Sequence, residues 1–164
     1  MADRTAHFTG GCQCGAVRFA LYAAPERHAI CWCRMCQKAH GAYMSAHSGV
    51  KRADFAWTRG TPGTFRSSEA VERDFCRDCG TPLAYRNLLV DRISISIPSL
   101  DQPYAIVPEQ QYGTENKPPF AATLAGLPEM PTDSWLKPEM RKRFASRQHP
   151  DYPTGTWPPE GKDG

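Results

Sequence analysis

The sequence predicts a small, mainly β protein of short antiparallel sheets with one or two short helices. Three observations carry that expectation. Apolar and polar residues alternate in several short windows, which is the period of a half-buried strand. The windows are separated by turn residues, with 13 glycines and 15 prolines in 164 residues, so regular structure is interrupted at short intervals. Helical patterning is confined to short stretches, the clearest being Arg34 to His40, closed by Gly41 where a left-handed cap is favoured.

Taken in order, Ala16 to Tyr22 places Val17, Phe19 and Leu21 on one face and reads as the first strand. Ala29 to Cys31 and Ala42 to His47 are short strand candidates flanking the helix, and Gly63 to Arg66 and Ala70 to Phe75 are two more. Asp91 to Ile97 alternates most cleanly and is ended by Pro98. Tyr104 to Val107 reads as one further strand. Ser134 to Phe144 reads as a second short helix with Pro138 in or near its first turn. His149 to Gly164 holds four prolines and three glycines and has too little apolar content to order itself alone. The expected organisation is one domain over residues 1–130. A C-terminal helix and Pro/Gly-rich tail over 131–164 is expected to be packed on it or mobile.

The composition is that of a folded chain, 40% hydrophobic and 23% charged. Twenty basic residues against 17 acidic ones leave a net charge of +3, too small an excess to argue for nucleic acid. The one basic cluster, Lys137, Arg141, Lys142, Arg143 and Arg147, reads as a solvated face. No apolar run reaches the roughly 20 residues of a membrane span. Met1 to Thr9 carries no apolar leader. The cytoplasm is therefore the expected compartment, where thiols stay reduced.

Seven cysteines in such a chain need another explanation than disulfides, which an odd number cannot satisfy. They fall into three groups: Cys12 and Cys14; Cys31, Cys33 and Cys36; Cys76 and Cys79. A structural zinc site takes four protein ligands and is closed, whereas a catalytic one takes three and keeps a position open. Seven divides as four plus three. The outer pairs Cys12, Cys14, Cys76 and Cys79 would make a closed structural site, and the triplet Cys31, Cys33 and Cys36 an open catalytic one. Residues two apart in a straight strand lie about 6.6 Å from each other, so the chain must bend at both Cys-x-Cys pairs. Three alternatives stand beside this division. The cysteines could be buried small hydrophobes, or a Cys-x-x-Cys among them a redox pair. His28 or His40 could also close the triplet as a fourth ligand. Trp32, between two cysteines of the triplet, is either a pocket wall or a core residue. Tyr43, His40 and His47 follow the triplet closely enough to move a proton, though packing or surface positions explain them equally.

Three stretches make the chain resemble the glutathione-dependent formaldehyde-activating enzyme family, which shares its domain with centromere protein V. They are Gly-Gly-Cys-Gln-Cys-Gly-Ala-Val-Arg-Phe at 10–19, Cys-Trp-Cys-Arg-Met-Cys-Gln-Lys-Ala-His-Gly at 31–41 and Phe-Cys-Arg-Asp-Cys-Gly-Thr-Pro-Leu at 75–83. All seven cysteines match, and the likeness runs from about Phe8 to about Phe120. A histidine is frequent in the family where this chain has Trp32. The resemblance implies a zinc-bound fold of short sheets meeting at an angle, a β-tent. It also implies two zinc ions per chain, divided as the ligand count divides them. The implied activity is carbon–sulfur lyase chemistry on a thiol–aldehyde adduct, with glutathione as a possible thiol partner. Because glutathione carries two carboxylates, Arg34 and Lys38, one helical turn apart beside the triplet, are candidate substrate anchors. The centromere relative supplies the alternative function, a non-catalytic zinc module binding protein or nucleic acid.

Overall fold

The alternating windows pair into two sheets. In the computed structural model, which describes residues 4–158, β1 (Phe8–Gly11), β2 (Arg18–Leu21) and β5 (Phe55–Arg59) form a three-stranded antiparallel sheet in the order β1-β2-β5. The second sheet has seven strands. They are β3 (Glu26–Cys31), β4 (Ser45–Lys51), β6 (Gly63–Ser68), β7 (Val71–Phe75), β8 (Pro82–Asn87), β9 (Arg92–Ser96) and β10 (Gln110–Tyr112), in the order β10-β3-β4-β9-β8-β7-β6. Every pair is antiparallel except β10 on β3, which is parallel. The mainly β expectation holds, with that one departure from all-antiparallel sheets.

Phe19 and Leu21 enter the core with Leu83, Ile93, Ile95 and Ile97, as their alternation requires. Phe19, Phe55 and Trp57 close the first sheet as an aromatic group, with centroids 4.8 to 6.0 Å apart. The alternation of β2 does not, however, appear as alternating burial, because all four of its residues are buried. Arg18, on the opposite face from Phe19, is covered by Asp101 and by His149 from the C-terminal tail. The sheet is thus packed on both sides.

The helix α1 (Arg34–His40) has the expected bounds, and the Gly41 N–H caps it by donating to the Gln37 carbonyl. Two expectations fail at prolines. Tyr104 to Val107 is no strand: Pro103 begins a 3-10 turn over Pro103–Ala105, and the chain pairs later, at β10. Ser134 to Phe144 is not one helix. A four-residue helix α2 (Thr132–Trp135) is followed by a 3-10 run over Pro138–Phe144. Proline forbids the helical conformation to the residue before it, and Lys137 is extended at ψ 143°. The strands β1, β5, β8 and β10 lie where the sequence suggested none.

The tail is laid over the domain as far as it is described; residues 159–164 of the expected tail lie outside the described residues. The His149 amide donates to the Gln13 carbonyl at 2.8 Å, and its ring bonds Thr154 at 2.9 Å. Arg59 reaches the Gly15 and Thr154 carbonyls. Gly15 permits this approach: a Cβ there would lie 2.5 Å from both the His149 and Trp157 rings.

Candidate metal centres and adjoining clefts

The turn from β1 to β2 carries Cys12 and Cys14, and the turn from β7 to β8 carries Cys76 and Cys79. Each turn is tied by its own backbone. The Cys12 amide donates to Val17 at 2.9 Å, Gly15 to Cys12 at 3.0 Å, and Gly80 to Cys76 at 3.0 Å. Thr81 links the turns, its hydroxyl accepting from the Gln13 amide at 3.1 Å and lying 3.2 Å from Cys79 Sγ. The result is four sulfurs all within 4.8 Å of one another. Cys12 and Cys14 are 3.5 Å apart, and Cys14 and Cys76 3.7 Å. A tetrahedron of sulfurs at the zinc–thiolate distance has edges of about 3.8 Å, whereas a disulfide would be about 2.05 Å. The donors therefore fit a four-thiolate metal site. Burial pushes the Cys14 and Cys76 thiols up. Burial also acts upward on Cys79, but hydrogen bonds from Thr81 and Cys14 outweigh it and bring that thiol down to about 6.

The triplet is built by a different device. Cys31 ends β3, Cys33 caps α1 by accepting from the Cys36 amide, and Cys36 sits in the first turn. The strand-to-helix transition supplies the bend that Cys-x-Cys needs. The segment is held from outside by β10. The Trp32 amide donates to the Tyr112 carbonyl at 2.9 Å, and the indole Nε1 to Gln111 at 2.9 Å. Gly113 follows at φ +63°, and a Cβ there would lie 2.7 Å from the Cys33 nitrogen. Trp32 is buried, with Lys117 over its ring, so it belongs to the packing of this clamp. The three sulfurs lie within 4.8 Å of one another, and among the described residues no histidine or carboxylate joins them. His28 bonds Ser48 instead. The His40 ring packs on His47, with centroids 5.2 Å apart. Burial pushes the Cys31 thiol up to about 12. It acts upward on Cys36 too, but His47, Ser45, Arg73 and Cys33 overcome it and bring that thiol down to about 5.

Arg73 is the residue that sequence reasoning missed. It stands on β7, buried, with Nη2 3.5 Å from Cys36 Sγ. No spacing links it to Cys36, although parity in the Ala70 to Phe75 window puts it on the side of Val71 and Phe75, an odd place for a charge. Ser45 Oγ, both ring nitrogens of His47 and Arg73 Nε are buried and have no hydrogen-bond partner among the described residues. Two clefts adjoin this group and share Ala39, Phe65 and Arg73. One, about 240 Å³, is lined also by His40 and His47. The other, more open and about 410 Å³, is lined by Arg34, Met35 and Lys38. Arg34 and Lys38 are therefore together beside the triplet, with Arg34 bonded to Gln37 at 3.0 Å. Tyr43 is exposed and meets Phe120 edge to face, with ring centroids 5.0 Å apart. Burial and the nearby charges of His47 and Arg73 hold His40 down at about 4.

These features define a mainly β protein with two cysteine clusters, each able to hold a metal ion. The chain belongs to the family described as glutathione-dependent formaldehyde-activating enzyme, whose model matches residues 7–116. The match ends before the 3-10 run over Pro119–Gly126, before α2 and before the tail. A crystal structure of a Rhodobacter sphaeroides protein is also similar, at 20% identity and a TM-score of 0.49, over 63% of this chain and 98% of that one. Among the described residues no helix is long and apolar enough to cross a membrane.

Proposed function

We propose that the protein is a zinc-dependent carbon–sulfur lyase-type enzyme that joins a small thiol to an aldehyde and cleaves the adduct, with glutathione as the thiol its family favours. The observation that carries this reading is the triplet: three convergent sulfurs and, among the described residues, no fourth protein ligand, beside two clefts that share lining residues. Cys12, Cys14, Cys76 and Cys79 would hold a structural zinc, and Cys31, Cys33 and Cys36 a catalytic one. When bound at the triplet, zinc would keep a thiol in its thiolate form at neutral pH.

The remaining work falls to the chain. Arg34 and Lys38 place positive charge on the open cleft, where the carboxylates of a peptide thiol would lie. Met35 and Phe65 give that cleft apolar walls. The smaller cleft suits an aldehyde of a few atoms and limits water around it. In the forward direction a carbon–sulfur bond forms at the carbonyl carbon, and the carbonyl oxygen gains the proton that the thiol gives up. The reverse breaks the same bond.

The same reading divides the chain into a zinc-binding domain over about residues 1–130 and an accessory helix and tail over 131–164. It also requires a reducing compartment, the cytoplasm, because oxidised thiols bind no zinc. Titrating the zinc-loaded protein with glutathione in a calorimeter, then adding formaldehyde and other small aldehydes, tests the activity. Saturable thiol binding and aldehyde-dependent adduct formation are expected. Tight binding of DNA that weakens steeply with salt, with no heat from any thiol, would instead support a binding module.

A further inference from the structure

Among the described residues the buried charges are paired, with one exception. Arg18 faces Asp101 with side chains 7% and 8% exposed, and Asp74 accepts from Arg86. Arg73 is 7% exposed, yet among the described residues it meets no carboxylate. Its cross-strand neighbour is Tyr85, whose ring lies 5.2 Å from the guanidinium. Its Nε has no partner, and Nη2 donates to Cys36 Sγ at 3.5 Å. A guanidinium removed from water needs a counter-charge close by, and a cation–π contact supplies only part of one. Among the described residues the group it reaches is Cys36 Sγ of the triplet, a thiolate when it ligates a metal.

We propose that Arg73 is the counter-ion of the Cys31, Cys33 and Cys36 cluster, a positioning residue that holds Cys36 and sets the net charge of the centre. The proposal rests on the reading of the triplet as a metal site. Three thiolates around a divalent ion sum to one negative charge, and the permanent charge of Arg73 brings the group to neutral. A neutral centre admits a further thiolate more readily than an anionic one does. A hydrogen bond to a ligating sulfur also fixes its direction and draws density from it. Arg73 therefore favours both retention of the metal and entry of the thiol, although it touches neither reacting atom. Its placement on β7, the strand that leads into Cys76, brings the far side of the large sheet to the triplet.

Cobalt(II) loading of the full chain tests this, comparing wild type with Arg73→Met and Arg73→Lys. The readouts are the thiolate-to-cobalt absorption of the second metal equivalent, its affinity against a chelator, and the affinity for 2-mercaptoethanol. In Arg73→Met we expect an altered second-equivalent spectrum and about 10-fold or greater loss of both affinities, in the range for lost outer-layer partners. The first equivalent should be unchanged, and Arg73→Lys should lie between. If Arg73→Met folds and matches wild type in all three readouts, Arg73 is a packing residue and the proposal fails while the metal site stands. If Arg73→Met does not fold, Arg73→Lys decides. Partial retention supports the counter-ion, and a loss as complete as that of Cys36→Ser contradicts it. A wild type that takes up one cobalt only overturns the metal reading of the triplet, and the counter-ion with it.

Discussion

At the residue scale, chemically identical cysteines have different consequences because of what they join. Cys76 and Cys79 tie the two sheets together through the β1–β2 turn, so Cys79→Ser should remove a metal whose binding is also folding energy. We expect loss of cooperative unfolding, or a fall in Tm of more than about 10 °C, by circular dichroism. Cys36→Ser lies at the start of one short helix and should leave Tm within a few degrees while abolishing activity. Arg18→Met would leave Asp101 buried without its counter-charge, keeping only the Thr9 hydroxyl, a loss of about 3–5 kcal/mol by chemical denaturation. His40 carries a sign of its own. Its folded pKa is held near 4, below the ordinary 6.5, by burial and by the charges of His47 and Arg73. The unfolded chain therefore binds the proton first, and stability present above pH 6.5 is lost as pH falls toward 4. His40→Gln should flatten that part of the stability–pH curve relative to wild type; an unchanged slope would show that His40 is not its source.

At the scale of elements, β2, β9 and α1 were legible because each carries a full local signature: strict alternation in the strands, a left-handed glycine cap in the helix. The strands β1 and β10 were not. Phe8-Thr9-Gly10-Gly11 and Gln110-Gln111-Tyr112 lack apolar alternation, and they become strands because β2 and β3 present open edges to them. The grouping of the seven cysteines was equally legible, since a count of seven divides as four plus three and the triplet alone runs into a readable helix. Arg73 was not, because its partner is set by sheet register rather than by distance along the chain. The clamp on the triplet yields a test at this scale. Gly113→Ala would place a Cβ 2.7 Å from the Cys33 nitrogen at φ +63°. It should weaken metal affinity at the triplet and leave the four-cysteine site as tight as before, in a two-step chelator competition. Equal weakening of both sites would mean that β10 supports the whole fold rather than the triplet.

At the scale of the molecule, the two sheets, the four-cysteine cluster and the tail form a chain of dependence. The tail runs past Gln13 and Cys14 and covers Arg18, and together with Cys79 its residues Ser146 to Gln148 line a surface hollow. The sequence left open whether this segment packs, since composition does not reveal that a buried arginine awaits His149 and that Gly15 leaves room for it. Truncation after Ala145 should expose that arginine, lower Tm, and speed metal release from the four-cysteine site several-fold, with release from the triplet unchanged. The family match stops at residue 116, so this cover is a feature of the chain beyond the shared domain. On the proposed reading one cluster is closed and the other open. Elemental analysis of zinc per chain in wild type and Cys36→Ser, purified side by side without chelator, tests it most directly. About two zinc ions in wild type and about one in the variant, with the variant still folded, is the expected result. One zinc in both proteins would contradict it, leaving the triplet a group of cysteines that binds no metal.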